Sequence, residues 1–274
     1  MPLRPLVLMN DWVSPMLPGA LIDAALRDGY DGVELWWPSD EPARRELGAA
    51  VRETGAAVSV LVGSAAVDPT GHRRELELQL EGVRAAGIDP LHVTLHAGRD
   101  HWSGRELDAL AEWVVGERER TRLDILVETH RARILPTAHS SARLLARHPG
   151  LRLTLDASHW VVSAESLLQD QAEAVALAIS RTDHIHARFG HPQSPQIDEP
   201  RDPRWAPAVE AHLAWWDRVV DRQREEGRRP TFLAEFGPAD YATIDPRTGR
   251  PLVDPAELNR WIKDLIRERY ADRG

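Results

Sequence analysis

Eight short apolar runs, each followed by a stretch of helical period, constrain this chain more than any other feature. They centre on residues 6–9, 32–36, 58–62, 91–96, 123–128, 151–156, 184–188 and 231–235. Strands that alternate with helices pair in parallel through right-handed crossovers. Eight such units close into a (β/α)8 TIM barrel of about 250 residues. We therefore read the 274 residues as one α/β domain spanning 1–274. A doubly wound open sheet is the alternative, but no G-x-G-x-x-G follows the first run and no P-loop occurs. Helix starts are marked by a capping box at Ser103-Gly104-Arg105-Glu106 and by Asp254-Pro255-Ala256-Glu257, with proline in the first turn. Val209, Leu213, Trp216 and Val220 form one stripe of a helix over 206–224. The connection 189–205 after the seventh strand reads as a long loop on the face where barrel active sites lie, and so as a functional one.

The polar residues within the strands share one parity. Alternate residues of a barrel strand point into the lumen and out toward the helices. Val33 and Leu35 oppose Glu34 and Trp36; Val93 and Leu95 oppose His92, Thr94 and His96; Ile125 and Val127 oppose Leu126 and Glu128. Leu153 and Leu155 oppose Thr154 and Asp156; Ile185 and Ala187 oppose His184, His186 and Arg188; Phe232 and Ala234 oppose Leu233 and Glu235. The outward phase is apolar. The inward phase ends in Glu34, His96, Glu128, Asp156, His186 and Glu235, which brings six ionisable groups together. Buried carboxylates cost several kcal/mol each unless a cation compensates. The set therefore predicts one divalent metal ion with mixed oxygen and nitrogen ligands: manganese (Mn²⁺) first, with Co²⁺, Mg²⁺ or Zn²⁺ as alternatives.

Composition removes other chemistries. There is no cysteine, so thiolate metal sites and disulfides are out. The only lysine, Lys263, falls on the last outer helix, which argues against Schiff-base catalysis and lysine-assisted hydride shift. The formal charge of −9 argues against a nucleic-acid partner, and the arginine-rich stretch 222–229 is interleaved with acids and reads as a solvated helix face. No apolar run reaches the roughly 18 residues of a membrane span, and residues 6–9 are too short for a signal-peptide core, so we expect a cytoplasmic protein with no membrane partner. His72, His139, His148 and His212 fall on helix patterns and read as surface residues, while Asn10 and Asp11 end the first strand on the active rim as candidate substrate contacts. Lacking a lysine-rich or glycine-nest cradle, the chain is expected to take an unphosphorylated substrate.

The strand ends resemble those of the xylose-isomerase-like TIM-barrel superfamily, the sugar phosphate isomerase/epimerase group, over essentially the whole chain. The motifs are Glu128-Thr129-His130-Arg131, Asp156-Ala157-Ser158-His159, His184-Ile185-His186-Ala187-Arg188 and Glu235-Phe236-Gly237-Pro238. The resemblance implies Glu128, Asp156, His186 and Glu235 as metal ligands, with His159 and Arg188 touching substrate. Ser194-Pro195-Gln196 departs from a Gly-Pro-Gln common in related chains. The implied activity is that of a sugar isomerase or epimerase working on a keto-sugar or related polyol through an enediolate, with Glu128 and Glu235 exchanging a carbon-bound proton. Glu34, Trp36 and His96 complete the expected substrate contacts, and Trp36, Trp102 and Trp160 are expected to wall the pocket. A metal-dependent lyase or hydrolase acting on a keto-sugar or keto-glycoside is the alternative; an abasic-site endonuclease or a non-catalytic sugar-binding barrel is a more distant one. The expected partner is a small-molecule carbohydrate, and self-association as a homo-oligomer stays open.

Overall fold

The structure, a computed structural model, describes residues 3–13 and 15–271. Eight parallel strands close into a barrel in chain order: β1 (Leu6–Asn10), β2 (Gly32–Trp36), β3 (Ala57–Gly63), β4 (Val93–His96), β5 (Ile125–Glu128), β6 (Leu153–Leu155), β7 (Thr182–Ala187) and β8 (Thr231–Ala234). The seam is β1 against β8, with Leu6 opposite Thr231 and Met9 opposite Ala234. Around the barrel lie α1 (Pro18–Arg27), α2 (Glu41–Thr54), α3 (Pro69–Ala85), α4 (Gly104–Thr121), α5 (Ala138–Arg147), α6 (Ala157–Ala164), α7 (Ala172–Arg181), α8 (Ala206–Glu225) and α9 (Pro255–Arg269). Two of these, α6 and α7, share the β6–β7 crossover, and a small hairpin of β9 (Ile244–Asp245) and β10 (Arg250–Pro251) follows β8. Neither addition was legible as an element in the sequence.

Local chemistry starts the helices where expected. Ser103 and Glu106 make the reciprocal capping box of α4, and Asp254 accepts from the Ala256 N–H at α9. Asp40, Asp68 and Thr137 cap α2, α3 and α5 in the same way. Each such cap stabilises its helix by about 1 kcal/mol.

The parity holds. Val7, Val33, Val60, Val93, Ile125 and Ile185 join one core cluster with the helix faces. Leu8, Leu61, Leu126 and Leu233 are equally buried but lie outside that cluster. Their cross-strand partners share their phase, Leu8 with Leu233 and Leu61 with Thr94, which places them in the lumen. The rest of the lumen is polar. Thr94 and Thr154 share a hydroxyl hydrogen bond of 2.8 Å across it. A register shift at Leu153/Thr154 sets Thr154 opposite His184 and keeps both inward.

The connection 189–205 is ordered by its own contacts. His191 and Ser194 form a bridge, Pro203–Trp205 make a 3-10 turn, and Ile197 is buried. Gln196 clamps Gly237, accepting from its N–H at 2.7 Å and donating to its carbonyl at 3.2 Å. The segment shapes the chain leaving β8 and does not line the cleft described below.

Two of the four helix histidines differ from expectation. His139 is exposed and His148 half-buried, but His72 and His212 are fully buried. Their hydrogen bonds explain why. His72 Nε2 accepts from the Gly98 N–H at 2.8 Å. His212 Nδ1 donates to the Ala208 carbonyl at 2.8 Å, leaving Nε2 to face the Gly190 N–H. Both rings tie a helix to a loop on the active rim. Burial lowers each of them to about 4. Between that value and the unfolded pKa near 6.5 the unfolded chain binds more protons, so stability present above pH 6.5 is lost as pH falls toward 4. Each ring should cost about 2 kcal/mol at pH 5 relative to pH 7. Urea unfolding of the wild type and of His72→Gln and His212→Gln checks this; equal pH dependence in all three would refute it.

Candidate active site

The carboxyl ends of the strands open into a cleft of about 400 Å³ of empty space, including its mouth. Asn10, Asp11, Trp36, His96, Glu128, His130, Arg188 and Glu235 line it. So do Trp12 and Tyr241, which the sequence reading did not single out. Trp12 follows β1 on the same rim as Asp11. Tyr241 comes from the segment after β8, where no periodicity marks an inward residue. Gly237 makes room for this wall, since a Cβ there would meet the Trp12 ring at 2.9 Å. Trp102 and Trp160 do not line the cleft. Trp102 donates to the Val67 carbonyl beyond β3, and Trp160 is buried on α6 and donates to Leu135. Trp36, 40% exposed, is the expected aromatic that does reach the mouth, edge-on to His96.

The ionisable groups fall into three overlapping sets whose ligand atoms lie within 4.8 Å of one another: Glu128 with His186 and Glu235, Glu128 with Asp156 and His159, and Glu34 with His184 and His186. All are buried. His186 Nδ1 stands 3.3 Å from Glu128 Oε1 and 3.2 Å from Glu235 Oε1. Glu128 also contacts His96 Nε2. Arg188, 1% exposed, pairs with Asp156 Oδ2 and stands 3.8 Å from Glu235 Oε2. One guanidinium nitrogen therefore reaches both carboxylates, which puts Asp156 and Glu235 in one site. Asp156 Oδ1 is committed to α6, accepting from the Ser158 N–H at 2.9 Å and its hydroxyl at 2.5 Å.

Burial raises Glu128, but His96 and His186 outweigh it and hold the carboxyl well below its usual range. Burial also raises Glu235, and there Arg188 and His186 do not fully offset it. Burial would lower His186, yet Glu235, Glu34 and Glu128 together hold it well above an ordinary histidine. Burial, with His130 and Arg188 alongside, keeps His159 well below one. Each ring nitrogen of His159 faces an arginine, Nδ1 at 2.7 Å from Arg131 and Nε2 at 3.2 Å from Arg188, and Nε2 also lies 3.4 Å from Asp156 Oδ2.

The donor set fits a divalent cation. Glu128, His186 and Glu235 offer two carboxylates and an imidazole, and Glu235 Oε2 is buried with no hydrogen-bond partner among the described residues. Asp156, expected as the fourth ligand, groups with Glu128 and His159, and its Oδ2 pairs with Arg188. Among the expected substrate contacts, Trp36, His96 and Arg188 line the cleft. His159 lies just behind it, its ring centroid 3.8 Å from that of His130 and tilted by 47°. Glu34 does not reach the cleft. It is fully buried deeper in the lumen, against three histidines. Parity gives the side of a strand a residue faces but not its height, and barrel strands are staggered.

A closed eight-stranded barrel with acids and histidines converging at its carboxyl end is the architecture of a barrel enzyme site. The chain belongs to the xylose isomerase-like TIM barrel family, whose model matches residues 22–245. A search of curated proteins finds no match. Among solved structures it is similar to a 3-keto-D-glucoside 4-epimerase from E. coli, at 16% identity and a TM-score of 0.62 over 97% of this chain and 100% of that one. It is also similar to a D-tagatose 3-epimerase-like protein, at 14% identity and a TM-score of 0.63 over 96% and 99%. A family 2 AP endonuclease from Brucella melitensis aligns at 13% identity with a TM-score of 0.57 over 84% and 92%. At such identities the likeness is one of fold. No helix among the described residues is long and apolar enough to cross a membrane.

Proposed function

We propose that the chain is a divalent-metal-dependent sugar isomerase or epimerase that transfers a proton next to the carbonyl of a keto-sugar or related polyol. The observation that carries this reading is the convergence of Glu128 and Glu235, which line the cleft, with the buried His186. Glu128, His186 and Glu235, with Asp156 when Arg188 releases its oxygen, would hold the ion. When bound, a cation of the Mn²⁺, Co²⁺, Mg²⁺ or Zn²⁺ type supplies Lewis acidity that favours negative charge on adjacent substrate oxygens.

The protein's own groups do the rest. Of the carboxylates that line the cleft, Glu128 and Glu235 are the two that contact His186, one to remove a carbon-bound proton and the other to return it. Return to the opposite face of the same carbon gives epimerisation, and return to the neighbouring carbon gives isomerisation. His96 and Arg188 present donors to substrate hydroxyls. Trp12, Trp36 and Tyr241 offer flat apolar faces to the C–H side of a sugar and keep water out. The charge of −9 disfavours a nucleic acid.

The test is product analysis in D₂O with a panel of ketoses and 3-keto-glucosides, with and without added Mn²⁺. Metal-dependent turnover with deuterium at the carbon beside the carbonyl is expected. Turnover without solvent deuterium would point to hydride shift, loss of a β-substituent to a lyase, and no reaction under any metal to a binding protein; each outcome overturns the proposal.

A further inference from the structure

Beside Leu8, Leu61, Leu126 and Leu233, the lumen under the cleft carries a polar column where a barrel of this type ordinarily stacks layers of Val, Ile and Leu. Glu34 is its centre, with 0% exposure. Its Oε1 lies 2.9 Å from His186 Nε2, and its Oε2 lies 3.0 Å from His184 Nε2 and 3.3 Å from His92 Nε2. The flanking rings are held in turn: His184 Nδ1 lies 2.8 Å from Thr231 Oγ1, and His92 Nδ1 lies 3.4 Å from Ser59 Oγ. The rings of His92 and His184 pack at 4.0 Å. Glu34 thus has its carboxylate oriented from three sides and has no access to substrate.

The consequence falls on His186. An imidazole has two nitrogens, and only the one without a proton can bind a cation. Nε2 of His186 faces Glu34, and Nδ1 faces Glu128 and Glu235. A carboxylate can only accept, so Glu34 holds a proton on Nε2, and Nδ1, which faces Glu128 and Glu235, is the nitrogen that would give up its proton to a cation. Resting on the metal-site reading above, we propose that Glu34 is a positioning residue: it sets the tautomer and ring orientation of His186 from below, and His184 and His92 hold Glu34 in place. This replaces the substrate-binding role that the sequence suggested for it.

The experiment compares wild type, Glu34→Gln and His184→Asn by metal titration and by ¹H–¹⁵N spectra of the Zn²⁺-loaded proteins. An amide can donate as well as accept, so Glu34→Gln loses control of the tautomer. Its metal affinity should fall about 10- to 100-fold, the range for losing the partner of a ligating histidine. Its downfield His186 Nε2–H resonance should broaden or vanish. His184→Asn removes one of the two rings that hold Glu34 but leaves His92 and the Glu34–His186 contact, so its affinity should fall by less than that of Glu34→Gln. Glu34→Asp keeps the carboxylate and should recover part of the affinity, which guards against a Gln variant that folds poorly. Wild-type affinity in Glu34→Gln, or an equal loss in His184→Asn, overturns the positioning role alone. A wild-type chain that takes up no divalent metal overturns the proposed function and this role with it.

Discussion

Glu128→Gln is expected to lower turnover by about 10²–10⁴-fold, the usual contribution of a positioned acid–base group, and to lower bound metal in the same preparation. Glu128 belongs to two of the three ligand sets, and its carboxylate touches both His96 and His186. His186 is the other group shared by two of the sets. Replacing charge by an amide keeps the volume, so the barrel should still close and the loss should lie in chemistry. Glu235→Gln makes the contrast. If the two carboxylates divide removal and return of the proton, one variant should still wash deuterium into substrate without releasing the epimerised product. Elemental analysis paired with NMR of the substrate reads both effects. Full metal content and full turnover in Glu128→Gln would rule out the ligand and base assignments together.

Arg188→Met should produce the largest loss of stability. The guanidinium is buried, pairs with Asp156, stands 3.8 Å from Glu235 Oε2 and lies 4.3 Å from the Tyr241 ring centroid. Removing one partner of a buried ion pair leaves an uncompensated charge and costs about 3–5 kcal/mol. Here it leaves Asp156 and Glu235 facing each other. The metal-free variant should therefore unfold at markedly lower urea than the wild type, and added Mn²⁺ should recover more stability in the variant than in the wild type. A loss below about 1 kcal/mol without metal would mean that the pair is effectively solvated.

The fold was legible because barrel strands carry two signals at once, the spacing of apolar runs and the parity of polar residues within them. Glu128, Asp156, His186 and Glu235 emerge from that parity on consecutive strands; Glu128, His186 and Glu235 come together, and Asp156 groups with Glu128 and His159. What parity cannot convey is height. Glu34 sits mid-strand on β2 opposite Ser59 and Asn10, while Glu128 ends β5 opposite Thr154, so the two carboxylates lie in different layers. That is why one faces the cleft and the other faces histidines. Trp12 and Tyr241 were missed for another reason. They stand outside regular elements, where side-chain direction depends on turns such as the positive φ of 79° at Asp240. His72 and His212 show the same limit on helices: a lone histidine on an amphipathic pattern reads as polar until a loop N–H is seen to cap its ring.

The seam between β1 and β8 joins parts of the chain more than two hundred positions apart, with Asn10 Nδ2 donating to the Ala234 carbonyl at 2.7 Å. Contacts of such long range form late in folding, because the entropy of closing the intervening loop is lost before they are rewarded. Glu235 rides on the strand that completes this closure. A nascent polypeptide that has emerged only as far as β7 has two open sheet edges and lacks Glu235, so on the proposed function the ligand set is completed together with the ring.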